Sequence, residues 1–383
     1  MPNFTGVLNA NEIFGALFNM IISQQVNADN IKEGFSSLVN KARVDGGLYG
    51  DTKLYYDTDV LKSHAWRGDL EAPNLLALDR PKDPKTQAIV LNIFRQIRVT
   101  VDNYLSKRAW KDEGAFASFN SVTLGWLRET KKVYDQTTYN VFVGTHKSAI
   151  QADRMVSIAT ITPATTADEE SANRIKAQKI GETIANLMVD MKDVSRDFND
   201  YGHLKSYDES EITIIFNSKF INEIRYLDLP TIFHKEGIER KIDQEMLPAR
   251  YFGEVLTAQK TVGANDDIRA CYEQDVTVGN VVTHLFAGDK FPVGAVVSAD
   301  DGYEVKDDII AKVVTVLPPY MSAFEVGTSF FNPRSLTENH YLTFGHNSLE
   351  HLYARPFVRV MVAPASSSKS SPKGVSTGSE VKA

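Results

Sequence analysis

The stretch from Asp112 to Gln136 constrains the fold most, because it has the pattern of one long amphipathic helix. Its apolar residues recur mostly in steps of three, four or seven, which keeps one stripe facing a core. Those residues are Phe116, Phe119, Val122, Trp126, Leu127, Val133 and Tyr134. Asp112 is placed to cap the first free N–H groups, and the helix would be roughly 36 Å long. The β-rich run from Tyr139 to Val143, followed by Gly144, predicts a strand directly after this spine helix.

Composition limits the class of protein to which this chain can belong. With 383 residues, 43% hydrophobic and 24% charged, it has the make-up of a globular protein with more than one domain. The net charge of −7 argues against a dedicated nucleic-acid binder, although it is compatible with a shell around DNA. Its one cysteine, Cys271, suits a reducing cytoplasm, and no apolar run is long enough for a membrane span.

The first 44 residues have the pattern of an arm with short helical patches. The first apolar pattern consists of Ile13, Phe14, Leu17, Phe18, Ile21 and Ile22, and the second of Ile31, Phe35, Leu38 and Val39. Such a stripe must be covered, either by its own domain or by a neighbouring subunit. The sequence favours neither alternative.

Two strand-like runs, Leu48–Tyr56 and Ile89–Val101, predict a β-hairpin with a long polar tip. The connection contains Pro73, Pro81 and Pro84. A structureless loop of this length is unusual inside a compact domain, whereas a projection that reaches another subunit removes the difficulty. Its charged residues are Asp79, Arg80, Lys82, Asp83 and Lys85. The mixture of signs favours a solvated loop, or pairing with another subunit, over phosphate binding.

The second half of the chain alternates helices and strands. A helix is predicted from Thr166 to about Val194, followed by a buried strand at Glu211–Phe216. Asn217 or Ser218 is placed to cap a short helix that ends at Pro230. Short strands separated by turns are expected over residues 250–320, the last at Val313, Val314 and Val316. Residues 329–364 are aromatic and loop-like up to a final strand at Phe357–Val362, and residues 366–383 have the composition of a disordered tail.

No motif for catalysis or cofactor binding is present in the sequence. It contains no phosphate-binding loop, dinucleotide fingerprint, zincin motif or nucleophile elbow. His340, His346 and His351, with Glu350, are the densest candidate metal ligands, but interleaved aromatic residues favour a structural, aromatic-packed set. Cys271 is better explained as a small apolar filler than as a nucleophile. We therefore predict no cofactor, no metal site and no enzymatic activity.

The order of the elements carries a resemblance to a known family. An apolar arm, a long hairpin, a spine helix and a mixed α/β lobe together resemble the major capsid proteins of tailed bacteriophages, which have the Hong Kong 97-type fold. The segment from Ile212 to Phe220 looks like a strand-and-helix element of their axial domain, and Phe286–Gly294 is similar to turns in several phage coat proteins. Within the group, the chain looks closest to coat proteins of small short-tailed phages of Gram-positive hosts.

The resemblance implies an α+β capsid fold divided into five parts. These are an N-terminal arm (1–45), an extended β-hairpin loop (46–111), a peripheral domain (112–150 and about 320–365), an axial domain (151–319) and a disordered tail (366–383). It also implies self-assembly, as pentamers and hexamers, into an icosahedral head that encloses double-stranded DNA. The implied location is the virion capsid, assembled in the host bacterial cytoplasm without a membrane.

The implied partners are other copies of the chain, a portal, a possible scaffolding protein and, by weak non-specific contact, the packaged genome. We expect the inter-subunit contacts to include Phe14, Phe18, Ile21, Asp79, Arg80, Lys82, Asp83 and Lys85. Two alternatives stay open at this point. One is an encapsulin-like shell protein that holds a cargo enzyme, and the other is an α+β enzyme with its site in the aromatic region 329–357.

Overall fold

The computed structural model describes residues 37–46, 50–63, 65, 80–102, 113–150, 153–157, 166–225, 243–322 and 326–363. The helices in these ranges are α1 Ser37–Ala42, α2 Glu113–Thr145, α3 Thr166–Lys192 and α4 Ser218–Arg225, with short 3-10 turns at Glu209–Glu211 and Ala249–Tyr251. The strands are β1 Arg43–Asp45, β2 Thr52–Asp57, β3 Lys85–Asp102, β4 Arg154–Val156, β5 Thr213–Asn217, β6 Asp243–Leu247, β7 Gly253–Val255, β8 Lys260–Thr261, β9 Ile268–Ala270, β10 Gln274–Val278, β11 Val281–Leu285, β12 Val296–Val297, β13 Gly302–Val305, β14 Ile309–Val314, β15 Tyr320–Ser322, β16 Val326–Asn332, β17 Thr337–Asn347 and β18 Phe357–Val362.

Two larger sheets organise the described strands. One has the order β1-β15-β17-β3-β2, with β16 paired to β17, and the other has the order β4-β18-β14-β5-β6. Three smaller sheets, β7-β13-β9, β10-β11 and β12-β8, form a strand-rich lobe between residues 253 and 305. Helices and mixed sheets are therefore combined in an α+β fold.

The five-stranded sheet is covered on both faces, which explains the apolar run in β5. Ile214 and Phe216 point to one face and belong to the same core cluster as the buried side of α3. Ile215 points to the other face and packs in a cluster with Tyr139 and Val143 of α2. Because successive strand residues point to opposite faces, a strand buried on both sides reads as continuous apolar sequence. The predicted buried strand is confirmed.

The spine helix α2 is longer than predicted. It runs from Glu113 to Thr145, which corresponds to about 50 Å, so the strand expected at Tyr139–Val143 is wrong. Tyr139, Val141 and Val143 are all buried, and packing on both sides overrides the weak β preference of these residue types. Gly144 allows the helix to approach the backbone of Tyr251 closely, because a Cβ at this position would lie 2.1 Å from the carbonyl oxygen of Tyr251.

The earlier part of α2 packs on the six-stranded sheet instead. The ring of Tyr134 lies 5.4 Å from that of Phe344 in β17, and Lys131 Nζ lies 5.3 Å from the centre of the same Phe344 ring. The buried carboxylate of Asp135 accepts hydrogen bonds from Lys131 Nζ (2.8 Å) and from the hydroxyl of Tyr320 in β15 (2.6 Å). One helix therefore joins the two larger sheets.

The predicted β-hairpin is confirmed, with shifted ends. β2 and β3 are antiparallel, with Cα partners from Thr52 and Val90 to Asp57 and Lys85. β3 has 18 residues and continues to Asp102, where its second half pairs with β17. Residues 48 and 49 of the predicted first strand lie outside the described residues.

The prediction that residues 329–357 are loop-like is wrong for most of that region. β16 and β17 form an antiparallel hairpin that extends the six-stranded sheet. In β17, Leu342, Phe344 and His346 point inward and are buried, while Tyr341 and Thr343 are only half-buried. The period of two was hidden because a histidine occupies an inward position and a tyrosine an outward one.

The remaining elements follow the sequence closely. α3 begins at Thr166, and the carboxamide oxygen of Asn217 accepts from the backbone N–H of Lys219 (3.1 Å) at the start of α4. The final strand at Phe357–Val362 is confirmed, whereas β14 ends at Val314 and leaves Val316 outside it. The first apolar pattern of the arm and the expected stop at Pro230 lie outside the described residues.

Candidate subunit-contact surface

The hairpin of β2 and β3 presents a chemically mixed surface at its outer end. Four of the predicted contact residues, Arg80, Lys82, Asp83 and Lys85, fall within the described residues, and all four are exposed. They follow one another along the chain just before or at the start of β3. The other four predicted residues, Phe14, Phe18, Ile21 and Asp79, lie outside the described residues.

An apolar face of the same hairpin was not anticipated from the sequence. Leu54 and Tyr56 of β2 are 52% and 64% exposed, and their Cα partners in β3 are Ala88 and Thr86. Because residues two apart share a face of a strand, Leu54 and Tyr56 lie side by side. Leu61, beyond the strand, is 77% exposed. Contiguous exposed apolar side chains of this kind are typical of a surface that another protein covers.

A second exposed apolar group lies on the β16–β17 hairpin. Phe330 is 61% exposed and Phe331 is 50% exposed. They point to opposite faces of β16 because they are consecutive. β16 borders only β17 among the described strands. In the part of the chain that the structure describes, the hairpin therefore leaves aromatic surface uncovered.

The three histidines considered as metal ligands have separate partners. His346 is buried, with Nε2 2.7 Å from the hydroxyl of Tyr134 and a ring stacked on Tyr320 at 5.3 Å. Burial lowers the pKa of His346. His351 Nε2 lies 2.7 Å from Asp200 Oδ2, and its Nδ1 lies 2.7 Å from His146 Nε2.

His340 lies apart from both, with Nε2 4.0 Å from Glu338 Oε1. The structure thus distributes the three rings over different contacts, two of them among aromatic side chains as predicted. In the part of the chain that the structure describes, no group of three or more His, Cys, Asp or Glu residues is arranged to hold a metal ion.

Cys271 has the environment of a packing residue. It lies beside the buried side chains of Val141, Tyr251 and Tyr303, and burial raises the pKa of its thiol to about 12. A thiol acts as a nucleophile in its thiolate form, which is scarce at neutral pH when the pKa is this high. The chemistry of Cys271 is therefore that of the small apolar filler that the sequence predicts.

One comparison with known proteins identifies a family for this chain. The family model described as Phi29-like phage major capsid protein matches residues 5–349. A comparison with curated proteins finds no match. Within the described residues, no helix combines the length and the apolarity that crossing a membrane requires.

Two solved structures share the fold at low sequence identity. A chain in the capsid structure of Staphylococcus phage Andhra is 13% identical, with a TM-score of 0.56, over 89% of this chain and 88% of that one. A chain in the structure of the head fiber and inner core protein gp22 of native bacteriophage P68 is 12% identical, with a TM-score of 0.51, over 83% of each chain. The predicted α+β fold of the Hong Kong 97 type is confirmed. Since the family match extends over most of the sequence, the chain belongs to the Phi29-like phage major capsid proteins, the structural proteins that form the phage head.

Proposed function

We propose that copies of this capsid protein join through the N-terminal arm and the outer end of the β2–β3 hairpin. The contacts proposed for the arm are Phe14, Phe18 and Ile21, and those for the hairpin are Asp79, Arg80, Lys82, Asp83 and Lys85. The exposed hairpin end, with charged residues beside an apolar face, is the observation that carries this proposal. Pentamers and hexamers of this kind are the units of the head.

The two kinds of side chain on the hairpin have different tasks in such a contact. Burying Leu54, Tyr56 and Leu61 against a neighbour removes apolar surface from water and contributes most of the affinity. Lys82, Asp83 and Lys85 have mixed charge, so they favour one register of approach and disfavour others more than they add affinity.

The charged end can be tested by reversing two charges. We expect Lys82→Glu with Lys85→Glu to leave the Tm of the unassembled subunit unchanged, because both side chains are exposed. The fraction sedimenting as shells or curved sheets should fall at least tenfold, since the reversal changes the pattern of charge that sets the register of the proposed contact. A matched control is Lys179→Glu with Lys192→Glu on the outside of α3, where both side chains are also exposed. Normal shells, seen by electron microscopy, from the hairpin variant would refute the contact.

We propose the domain division that follows from the same assembly. The arm comprises residues 1–45, the extended loop 46–111, the peripheral domain 112–150 and about 320–365, the axial domain 151–319 and the tail 366–383. The peripheral and axial domains are closely connected in this division. β18 of the peripheral part pairs with β14 of the axial part inside the five-stranded sheet.

We further propose that a portal, a scaffolding protein and weakly bound genomic DNA are the other partners, that assembly takes place in the host cytoplasm, and that the subunit has no catalytic role. The environment of Cys271 supports the last point. The alternatives of a cargo compartment and of an enzyme receive no support from the family match or the shared fold. Purified particles that contain DNA agree with the proposal, whereas a cargo protein in its place would contradict it.

A further inference from the structure

The β2–β3 hairpin leaves the subunit through a set of polar contacts that we name the hairpin clamp. On the hairpin side it consists of Asp57, Asp59 and Gln87. On the receiving side it consists of the segment Ser195–Lys205 and the backbone of residues 351–353. Every contact joins residues more than 130 positions apart in the sequence, so the clamp is tertiary.

Asp57, the last residue of β2, contacts the side chains of His203 and Lys205 through its two carboxylate oxygens. Its Oδ2 lies 2.5 Å from His203 Nδ1, and its Oδ1 accepts from Lys205 Nζ. All three side chains are at least four-fifths buried. Charge-assisted hydrogen bonds are stronger than neutral ones and are screened little when buried.

Asp59 makes the second attachment, two residues further on. Its Oδ1 accepts from the backbone N–H of Leu204 (3.1 Å), and its Oδ2 accepts from Arg196 Nη1 (2.9 Å). The Leu204 N–H and the Arg196 guanidinium lower the pKa of Asp59 to about 2. The carboxylate is therefore ionised at neutral pH, as both hydrogen bonds require.

Gln87 attaches the other strand. Its side chain is buried in the face of β3 opposite the apolar surface, where Nε2 donates to the carbonyl of His351 (2.9 Å) and Oε1 accepts from the N–H of Tyr353 (3.0 Å). Both strands of the hairpin are thus fixed at the same level, because Gln87 is the Cα partner of Tyr55, two residues before Asp57.

The receiving segment is itself braced against the spine helix. Asn199 is buried and makes two hydrogen bonds with the backbone of His203, at 2.7 and 2.8 Å. Asp200 accepts from Ser148 Oγ (2.8 Å), just beyond the end of α2, and lies 2.7 Å from His351 Nε2. The clamp therefore links the hairpin to the element that joins the two sheets.

We propose that the hairpin clamp fixes the direction in which the hairpin leaves the subunit, and thereby the angle at which neighbouring subunits meet. This inference rests on the proposed contact at the hairpin end. Lys82 lies five residues from Gln87 and so reaches at most roughly 17 Å beyond the clamp, where a tilt of about 10° moves it by about 3 Å. That displacement is about the length of an ion pair, which is enough to break one. Asp57, Asp59 and Gln87 are then positioning residues for assembly.

The direction of the hairpin can be measured on the unassembled full-length subunit. Spin labels at Lys82→Cys and Gln178→Cys, in a Cys271→Ala background, report the distance from the hairpin end to α3. We expect Asp57→Asn with Asp59→Asn to broaden this distance distribution at least twofold, because the isosteric amides remove both charges. The control Glu182→Gln with Asp190→Asn removes two charges from exposed positions on α3 and should leave the width unchanged. An unchanged width in the clamp variant would overturn the proposal.

The shells formed by the unlabelled variants test whether the direction of the hairpin sets the angle between neighbouring subunits. We expect the clamp variant to assemble into particles with a wider range of diameters or into open sheets, and particles with the wild-type diameter distribution would overturn the proposal. If the double variant fails to fold, Lys205→Gln, which removes only one cation, carries the same expectations. The proposed contact fails independently, because normal shells from the Lys82→Glu, Lys85→Glu variant refute it and leave the spin-label result standing.

Discussion

At the scale of single residues, Lys312 stands out because its side chain is completely buried. Its Nζ donates to the carbonyl of His146 (2.7 Å), just past the end of the spine helix, and Arg359 is a nearby cation. Burial first, and then the Arg359 charge, lowers the pKa of Lys312 to about 7, from an ordinary value of 10.5. Between these two pH values the unfolded chain binds a proton that the folded chain has lost.

This difference predicts a rise in stability with pH. As the pH is raised from 7 toward 9.5, the free energy of unfolding should increase by at most about 1.4 kcal/mol per pH unit, because the unfolded state binds more protons. Lys312→Met should largely remove this dependence, whereas Lys219→Met, at a largely exposed position, should retain it. Chemical denaturation at several pH values measures the slope, and equal slopes in the wild type and Lys312→Met would contradict the assignment.

At the scale of elements, the spine helix shows what the sequence determines and what it leaves open. Its start near residue 113 and the burial of Leu127 and Tyr134 follow from the period of the sequence, as do the β2–β3 hairpin and the apolar strand β5. Trp126 of the predicted stripe is exposed instead, and the side chains of Phe116, Phe119 and Val122 lie outside the described part of the structure. The end of the helix does not, because Tyr139–Val143 reads as a strand until the packing on both sides is known. The same holds for β17, where a buried histidine and an outward tyrosine hide the alternation.

The surface that we propose for the contact was predictable only in part. Charge and proline content predict that residues 79–85 are exposed, and the described ones among them, from residue 80 onward, are exposed. The apolar face at Leu54 and Tyr56 depends on the register with β3, and the clamp depends on partners more than 130 positions away. Neither relation is present in any short window of the sequence.

The spine helix also offers a matched pair of glycines. Alanine at Gly125 meets no atom within 4 Å, so Gly125→Ala should stabilise the fold by about 0.8–1 kcal/mol through helix propensity. Alanine at Gly144 overlaps the carbonyl of Tyr251, and overpacking of this kind should destabilise the fold by about 1–3 kcal/mol. Thermal and urea unfolding of the two variants would show opposite signs; a stabilised Gly144→Ala would mean that the 3-10 turn at Ala249–Tyr251 yields easily.

At the scale of the whole molecule, the subunit separates the surfaces that fold it from those that we propose as contacts with other copies. Buried clusters on both sides of the five-stranded sheet hold the chain together, while the hairpin carries apolar side chains in water. On one strand of that hairpin, Ile89 is buried and Val90 is exposed. In the proposed contact, folding and association therefore depend on neighbouring but different residues.

That separation predicts two different phenotypes on one hairpin. Leu54→Ser with Tyr56→Ser should change the free energy of unfolding by less than about 0.5 kcal/mol, because both side chains are exposed, and should still prevent shell formation. Ile89→Ala should instead lower the stability of the subunit by about 2–5 kcal/mol. Calorimetry and sedimentation of the same samples distinguish the two effects. Full assembly of the serine variant would show that Leu54 and Tyr56 do not contribute to the contact between subunits.

The continuous course of β3 has a mechanical consequence. This single strand, about 59 Å long, changes partner near Leu91, where its pairing with β2 gives way to its pairing with β17. A force applied to the hairpin along the axis of β3 loads the β3–β17 hydrogen bonds in shear, so that many must break together. Force applied to the β2–β3 hairpin is thereby transmitted along β3 into the six-stranded sheet, on which the spine helix packs.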